Sequence, residues 1–108
     1  MEVRTEALEA LVRTGLVDDA RFAERRASVL ADRGAGDAFI RHDLGVAGIA
    51  QDLVDDALAT LEDELERARR IVERRGASPK SARYLAGKGY SNDVVHAAIA
   101  HPADESLG

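Results

Sequence analysis

The sequence predicts an all-α protein of tandem three-helix repeats stacked into an elongated array. Gly48-Ile49-Ala50-Gln51-Asp52-Leu53-Val54-Asp55-Asp56-Ala57-Leu58-Ala59 superimposes on Gly89-Tyr90-Ser91-Asn92-Asp93-Val94-Val95-His96-Ala97-Ala98-Ile99-Ala100 at a constant offset of 41 residues. Every apolar position from Leu53 to Ala59 then meets an apolar partner, and Leu44 falls on Leu85. Periods of this size mark helical units that are each too small to bury an apolar face alone. Glycines at 15, 34, 48, 76 and 89 break the helical periodicity where left-handed helix ends are expected. With only Phe22, Phe39, Tyr84 and Tyr90 as aromatic residues, the core must be Leu, Val, Ile and Ala, which suits helix-on-helix packing.

Seven helices and no strand follow from periodicity and end signals. The first covers Glu2 to Thr14, with Leu8, Leu11 and Val12 on one side, and ends at Gly15. A second opens at Asp18-Asp19, where acidic residues suit a helix start, and runs to Arg33 with Phe22, Ala23, Ala27 and Leu30 inward. The third spans Asp37 to Val46 and buries Phe39 or Ile40 together with Leu44. Gln51 to Leu61 carries Leu53, Val54, Ala57, Leu58 and Leu61 at helical spacing.

The second unit restates this order. Asp63 to Arg75 turns Leu65, Ala68, Ile71 and Val72 inward and ends at Gly76. Ser78-Pro79 places serine as N-cap and proline at the first helical position, opening a helix with Ala82, Tyr84 and Leu85 that stops near Gly87-Lys88-Gly89. Ser91 caps the last helix, with Val94, Val95, Ala98 and Ile99 facing the core. The expected organisation is residues 1–17 as the last helix of a shortened first repeat, 18–61 and 62–101 as three-helix repeats, and 102–108 as a frayed tail.

The net charge of −5 hides an asymmetry. From Arg67 to Tyr90 there are eight Lys and Arg against Glu73 alone, whereas Gly36 to Leu61 has five Asp against Arg41. Such polarity says more about partners than the total does. At 100° per residue, Arg67, Arg70 and Arg74 form a single-signed stripe, which Lys80, Arg83 and Lys88 extend into the next helix. Without cysteine there is no disulfide framework or thiolate chemistry. No apolar run approaches a membrane span and no signal peptide is seen, so the cytosol is the default compartment.

Gly15-Leu16-Val17-Asp18-Asp19-Ala20-Arg21-Phe22-Ala23-Glu24, followed by a basic helix and a glycine break, resembles the RecX family of recombination regulators. Ile40-Arg41-His42-Asp43-Leu44 with Gly48-Ile49, and Ala82-Arg83-Tyr84-Leu85-Ala86-Gly87-Lys88-Gly89-Tyr90-Ser91, resemble its second and third repeats. The likeness implies tandem three-helix repeats in a curved, elongated array. It further implies a non-enzymatic protein that binds in the groove of the RecA–DNA filament and limits filament growth, strand exchange and ATPase activity. Arg25, Arg26, Arg33, Arg67, Arg70, Arg74, Lys80, Arg83 and Lys88 are then the contact candidates, while Phe22 reads as a core anchor and Asp18-Asp19 as a helix start. A monomer without cofactor or metal is expected, and the basic stripe leaves weak, non-specific DNA association open.

Three features depart from the family pattern: only the last helix of a first repeat is expected, Leu44-Gly45-Val46-Ala47-Gly48 lacks basic residues, and the chain is acidic overall. Rival readings weigh less. A sequence-reading helix-turn-helix would need donors on its second helix, yet Asn92, Asp93 and His96 come without Arg or Lys. His42, His96 and His101 have no metal-ligand spacing, and Asp52, Asp55 and Asp56 read as a solvated face. A helical adaptor for another protein keeps the same fold and stays open.

Overall fold

The computed structural model describes residues 18–101, and all structural statements concern these residues. The helix expected over Glu2–Thr14, Gly15 and the tail at 102–108 lie outside them. Six helices are present: α1 over residues 18–32, α2 Asp37–Val46, α3 Gln51–Ala59, α4 Glu64–Arg75, α5 Pro79–Gly87 and α6 Asn92–Ala100. No strand occurs among the described residues.

Two apolar clusters divide these helices into two units. Ala23, Ala27, Leu30, Ile40, Leu44, Val54 and Ala57 form the first, with Leu53, Leu58 and Leu61 packed against it. The second comprises Ala68, Val72, Leu85, Tyr90, Val95 and Ala98, flanked by Leu65, Ile71, Val94 and Ile99. Either cluster alone is small, which is the physical reason for stacking.

The 41-residue repeat has a backbone cause. At the end of α2, the Ile49 N–H donates to Leu44 O at 3.0 Å and the Gly48 N–H to Gly45 O at 3.0 Å. The end of α5 repeats this pair, Tyr90 N–H to Leu85 O at 3.1 Å and Gly89 N–H to Ala86 O at 3.2 Å. Both are Schellman closures, with glycine at positive φ and the next residue folded back onto the helix. Ile49 and Tyr90 occupy that returning position and are buried. The same motif closes α1 at Gly34-Ala35.

End signals decide most boundaries. Asp63 accepts from the Leu65 N–H, Ser78 from the Ser81 N–H and Ser91 from the Val94 N–H, so these three residues cap α4, α5 and α6. Helix α3 stops at Ala59 and not at Leu61, because Thr60 and Leu61 tighten into three-residue turns onto Ala57 O and Leu58 O, and the Thr60 hydroxyl also donates to Ala57 O. Phe22 is not the expected core anchor: it is 46% exposed, while Ala23 and Ala27 are fully buried. Two alanines one turn apart let α1 approach its neighbours closely, which leaves the adjacent ring on the flank. The alternatives on α2 resolve to Ile40, with Phe39 at 46% exposure.

The units meet where α2 begins. Its N-cap, Gly36, has no side chain to satisfy the first N–H groups. The Gly36 N–H donates to Lys88 O at 2.8 Å, and the Ala38 N–H to Gly89 O at 3.2 Å, both in the α5–α6 turn. The Asp37 N–H donates to the Glu64 carboxylate at 2.7 Å. A Cβ at Gly36 would stand 2.6 Å from the Gly89 carbonyl, and one at Gly89 would stand 2.6 Å from Phe39 N. Backbone meets backbone here, and glycine on both sides permits it.

Candidate partner-binding surface

Arg67 leaves the stripe that periodicity assigns to it. Its guanidinium donates to Glu62 O at 2.9 Å, to Ala35 O at 3.0 Å and to the Asp37 carboxylate. The side chain is 10% exposed. Arg67 therefore clasps the two units together, and the expectation of a solvent-facing contact at this position is corrected. A helical wheel gives the face, but not the neighbour that covers one end of it.

Two further candidates carry carboxylate partners. Arg26 binds Asp43 through Nε at 2.9 Å and a terminal nitrogen at 3.0 Å, a fork-to-fork pair tying α1 to α2. That bonding holds the Asp43 carboxyl below the usual range and raises the Arg26 guanidinium. Arg70 reaches Glu62 at 2.6 Å across an exposed surface. Exposed pairs of this kind contribute little to stability and are screened by salt.

The remaining candidates stand differently. Arg25, Arg33, Arg74, Lys80 and Arg83 are exposed, Lys88 is half-buried, and none forms an ion pair among the described residues. Arg33, Arg74 and Arg75 line one open cavity of about 270 Å³ together with Asp32, Gly34, Ile71 and Tyr84. It adjoins a second of about 350 Å³, and the two share Asp32, Gly34, Ile71 and Arg74. Together they form a groove between the end of α1 and the outer side of α4, crossing from one unit to the other. The Lys88 side chain lies at the same place: its Cε would stand 3.4 Å from a Cβ built on Gly34. Lys80, Tyr84 and Lys88 recur at four-residue steps and so share a face leading away from the groove.

Arg75, part of the positive run but not among the contact candidates, belongs to this cluster. Its guanidinium lies 3.7 Å from the centroid of the Tyr84 ring. Lys88 Nζ is 6.0 Å from the same centroid. The sequence signal was available, since Arg75 directly precedes the helix-ending Gly76, but its aromatic partner sits on the next helix.

A half-buried carboxyl and a buried phenol mark the joint. Burial raises the Glu64 carboxyl above its ordinary value, partly opposed by the hydrogen bond from the Asp37 N–H. Burial likewise pushes the Tyr90 phenol up, and its hydroxyl has no hydrogen-bond partner among the described residues. No group of three or more His, Asp or Glu among the described residues could hold a metal ion. No helix among them is long and apolar enough to cross a membrane. The α5–α6 turn, which a helix-turn-helix reader would hold clear, is docked against α2 through Lys88 O and Gly89 O.

Comparison with known proteins agrees with this architecture. Residues 18–58, spanning α1 to most of α3, match a family model described as "RecX, second three-helix domain". The chain is 38% identical over 108 residues to the regulatory protein RecX of Halorhodospira halophila, covering 91% of this chain and 66% of that one. It is 34% identical over 109 residues to the regulatory protein RecX of Trichlorobacter lovleyi, covering 87% and 71%. The corresponding protein of Stenotrophomonas maltophilia strain R551-3 is 31% identical over 114 residues, covering 96% and 70%. The chain thus spans about two thirds of the length of these relatives. Unit architecture, glycine-closed turns and alignment over most of the chain converge on one conclusion: this protein belongs to the RecX family of regulatory proteins.

Proposed function

We propose that this chain restrains RecA by lying in the groove of the RecA–DNA filament, acting as a cytoplasmic monomer and by binding rather than catalysis. One observation carries the reading. Arg33, Arg74, Arg75, Lys80, Arg83 and Lys88, from the joint and from α5, form no ion pair among the described residues, whereas Arg26, Arg41, Arg67, Arg69 and Arg70 do. Cations left without counter-charges supply salt-sensitive attraction to a surface carrying phosphate and carboxylate. The exposed Asp52, Asp55 and Asp56 of α3 line neither cavity, so on this view they stand outside the contact.

The test is the DNA-dependent ATPase of RecA at rising concentrations of the chain. Expected is a progressive fall that weakens as salt is raised. A flat response at micromolar protein, with a longer relative inhibiting in parallel, contradicts the proposal.

A further inference from the structure

We propose that the groove between the two units is a phosphate site assembled only when they are docked, so that nucleic-acid binding and unit docking reinforce each other. The proposal rests on the filament-groove reading and adds which groups meet the phosphate and what holds them together.

The cations come from separate elements. Arg33 follows α1 in the first unit; Arg74 and Arg75 close α4, and Lys88 closes α5, in the second. Arg33, Arg74 and Arg75 line one cavity of about 270 Å³, with Lys88 at its Gly34 wall. Asp32 is the one carboxylate lining that cavity among the described residues, and Glu62, in the adjoining cavity, is paired with Arg70, so cations outnumber acids along the groove. Elsewhere this chain matches one carboxylate to one arginine, as at Asp43, Asp55 and Glu62. A convergence of several guanidinium and ammonium groups suits a phosphodiester better, because its oxygens can accept on several sides. Arg75 already covers a face of Tyr84, so the ring acts as a brace for the guanidinium, and the recognition is of backbone and not of base.

Arg33 comes from one unit and Arg74, Arg75 and Lys88 from the other, so the site's geometry exists only while the joint is shut. The joint is held by Gly36 and Ala38 on the α5–α6 turn and by Arg67 on Asp37 and Ala35. The α5–α6 turn that carries Lys88 is thus the turn that docks. By linkage, a phosphate bridging the units must stabilise docking as much as docking strengthens its binding.

The experiment measures fluorescence anisotropy of a labelled twelve-residue oligothymidylate with the full chain, without RecA, across a salt series. Arg33→Ala and Arg74→Ala should each weaken binding about fivefold and lower the salt slope by about 0.7, the value for one phosphate fewer neutralised on a single strand. Arg41→Ala, a charge-matched change on α2, should leave both unchanged. Asp37→Ala is the discriminating variant: it removes a negative charge, so Coulomb attraction alone predicts tighter binding. Docking linkage predicts weaker binding with the salt slope intact, and the charge-neutral Gly36→Ala should behave alike, with helical content followed by circular dichroism. Tighter or equal binding by Asp37→Ala and Gly36→Ala overturns the linkage. Equal weakening in Arg41→Ala overturns the site, and equal affinity for polyglutamate of matched charge overturns phosphate as its ligand. Because RecA is left out, inhibition of its ATPase without oligonucleotide binding would overturn this inference and leave the proposed function standing.

Discussion

Replacing Gly36 by alanine isolates the joint from every local effect. Gly36 has φ −85 and ψ 173, ordinary extended backbone that alanine adopts without strain. Reduced chain freedom in the unfolded state should favour alanine by about 0.4–1 kcal/mol. Alanine is a poorer N-cap than glycine by roughly 0.5 kcal/mol, so the local effects nearly cancel. What remains is the meeting of the units across the joint. The new Cβ would sit 2.6 Å from the carbonyl carbon and oxygen of Gly89 and from Tyr90 N. Ordinary van der Waals separation begins near about 3.5 Å, so the units must move apart by about 1 Å. That stretches the hydrogen bonds of 2.8 Å to Lys88 O and 3.2 Å to Gly89 O beyond useful range. Each contributes about 1 kcal/mol, and the bond from the Asp37 N–H to the Glu64 carboxylate about 1.5–3 kcal/mol. The expected destabilisation is about 3–5 kcal/mol, read by urea denaturation, with a lower m-value as the units unfold separately. Stability within about 0.5 kcal/mol of the parent at unchanged m would refute the docked joint.

Further outcomes follow from the two polar groups at the joint, an ion pair and a cap. Tyr90→Phe removes a buried hydroxyl without a partner among the described residues, and should raise stability by about 1 kcal/mol and Tm by about 4–8 °C; a fall in Tm on calorimetry would show that the hydroxyl is bonded. Burial raises the Glu64 carboxyl above 4.5, so the folded state holds this proton more tightly than the unfolded one and stability declines as pH rises just above that value. Glu64→Gln should flatten this decline in a pH series of denaturation midpoints. Asp43 has the opposite sign: Arg26 holds it below 3.8, so its contribution is present above that value and disappears on acidification through the lowered one, a dependence that Asp43→Asn should abolish. Ser78→Ala should cost about 1 kcal/mol by removing the acceptor for the Ser81 N–H, with Ser78→Gly recovering most of it.

The helices were legible because their signals are local. Asp37–Val46 falls where the glycines and apolar spacing place it, and Ser78-Pro79 and Ser91 cap as their chemistry requires. The 41-residue offset could be seen without its cause, which is the Schellman closure that buries Ile49 and Tyr90 after glycine. The joint was not legible. Gly36 lies outside the repeated glycine pattern and has negative φ; its reason is the backbone of Gly89, distant in sequence. Arg67 shares a helical stripe with Arg70 and Arg74, but the neighbouring unit covers only its end of α4. Phe22 misled for a related reason, since hydrophobicity suggested an inward ring where small alanines set the approach. Long-range packing of this kind has no periodicity to betray it.

The most direct measurement is RecA ATPase inhibition by Gly36→Ala beside the parent chain, both shown to be helical at the assay temperature. The substitution changes no charge and touches no exposed cation. If the chain inhibits RecA as proposed, and through a surface made by docking the two units, the variant loses that inhibition in step with the opening of the joint. Inhibition equal to the parent's, from a chain whose joint is demonstrably open, would show that the cations act without it.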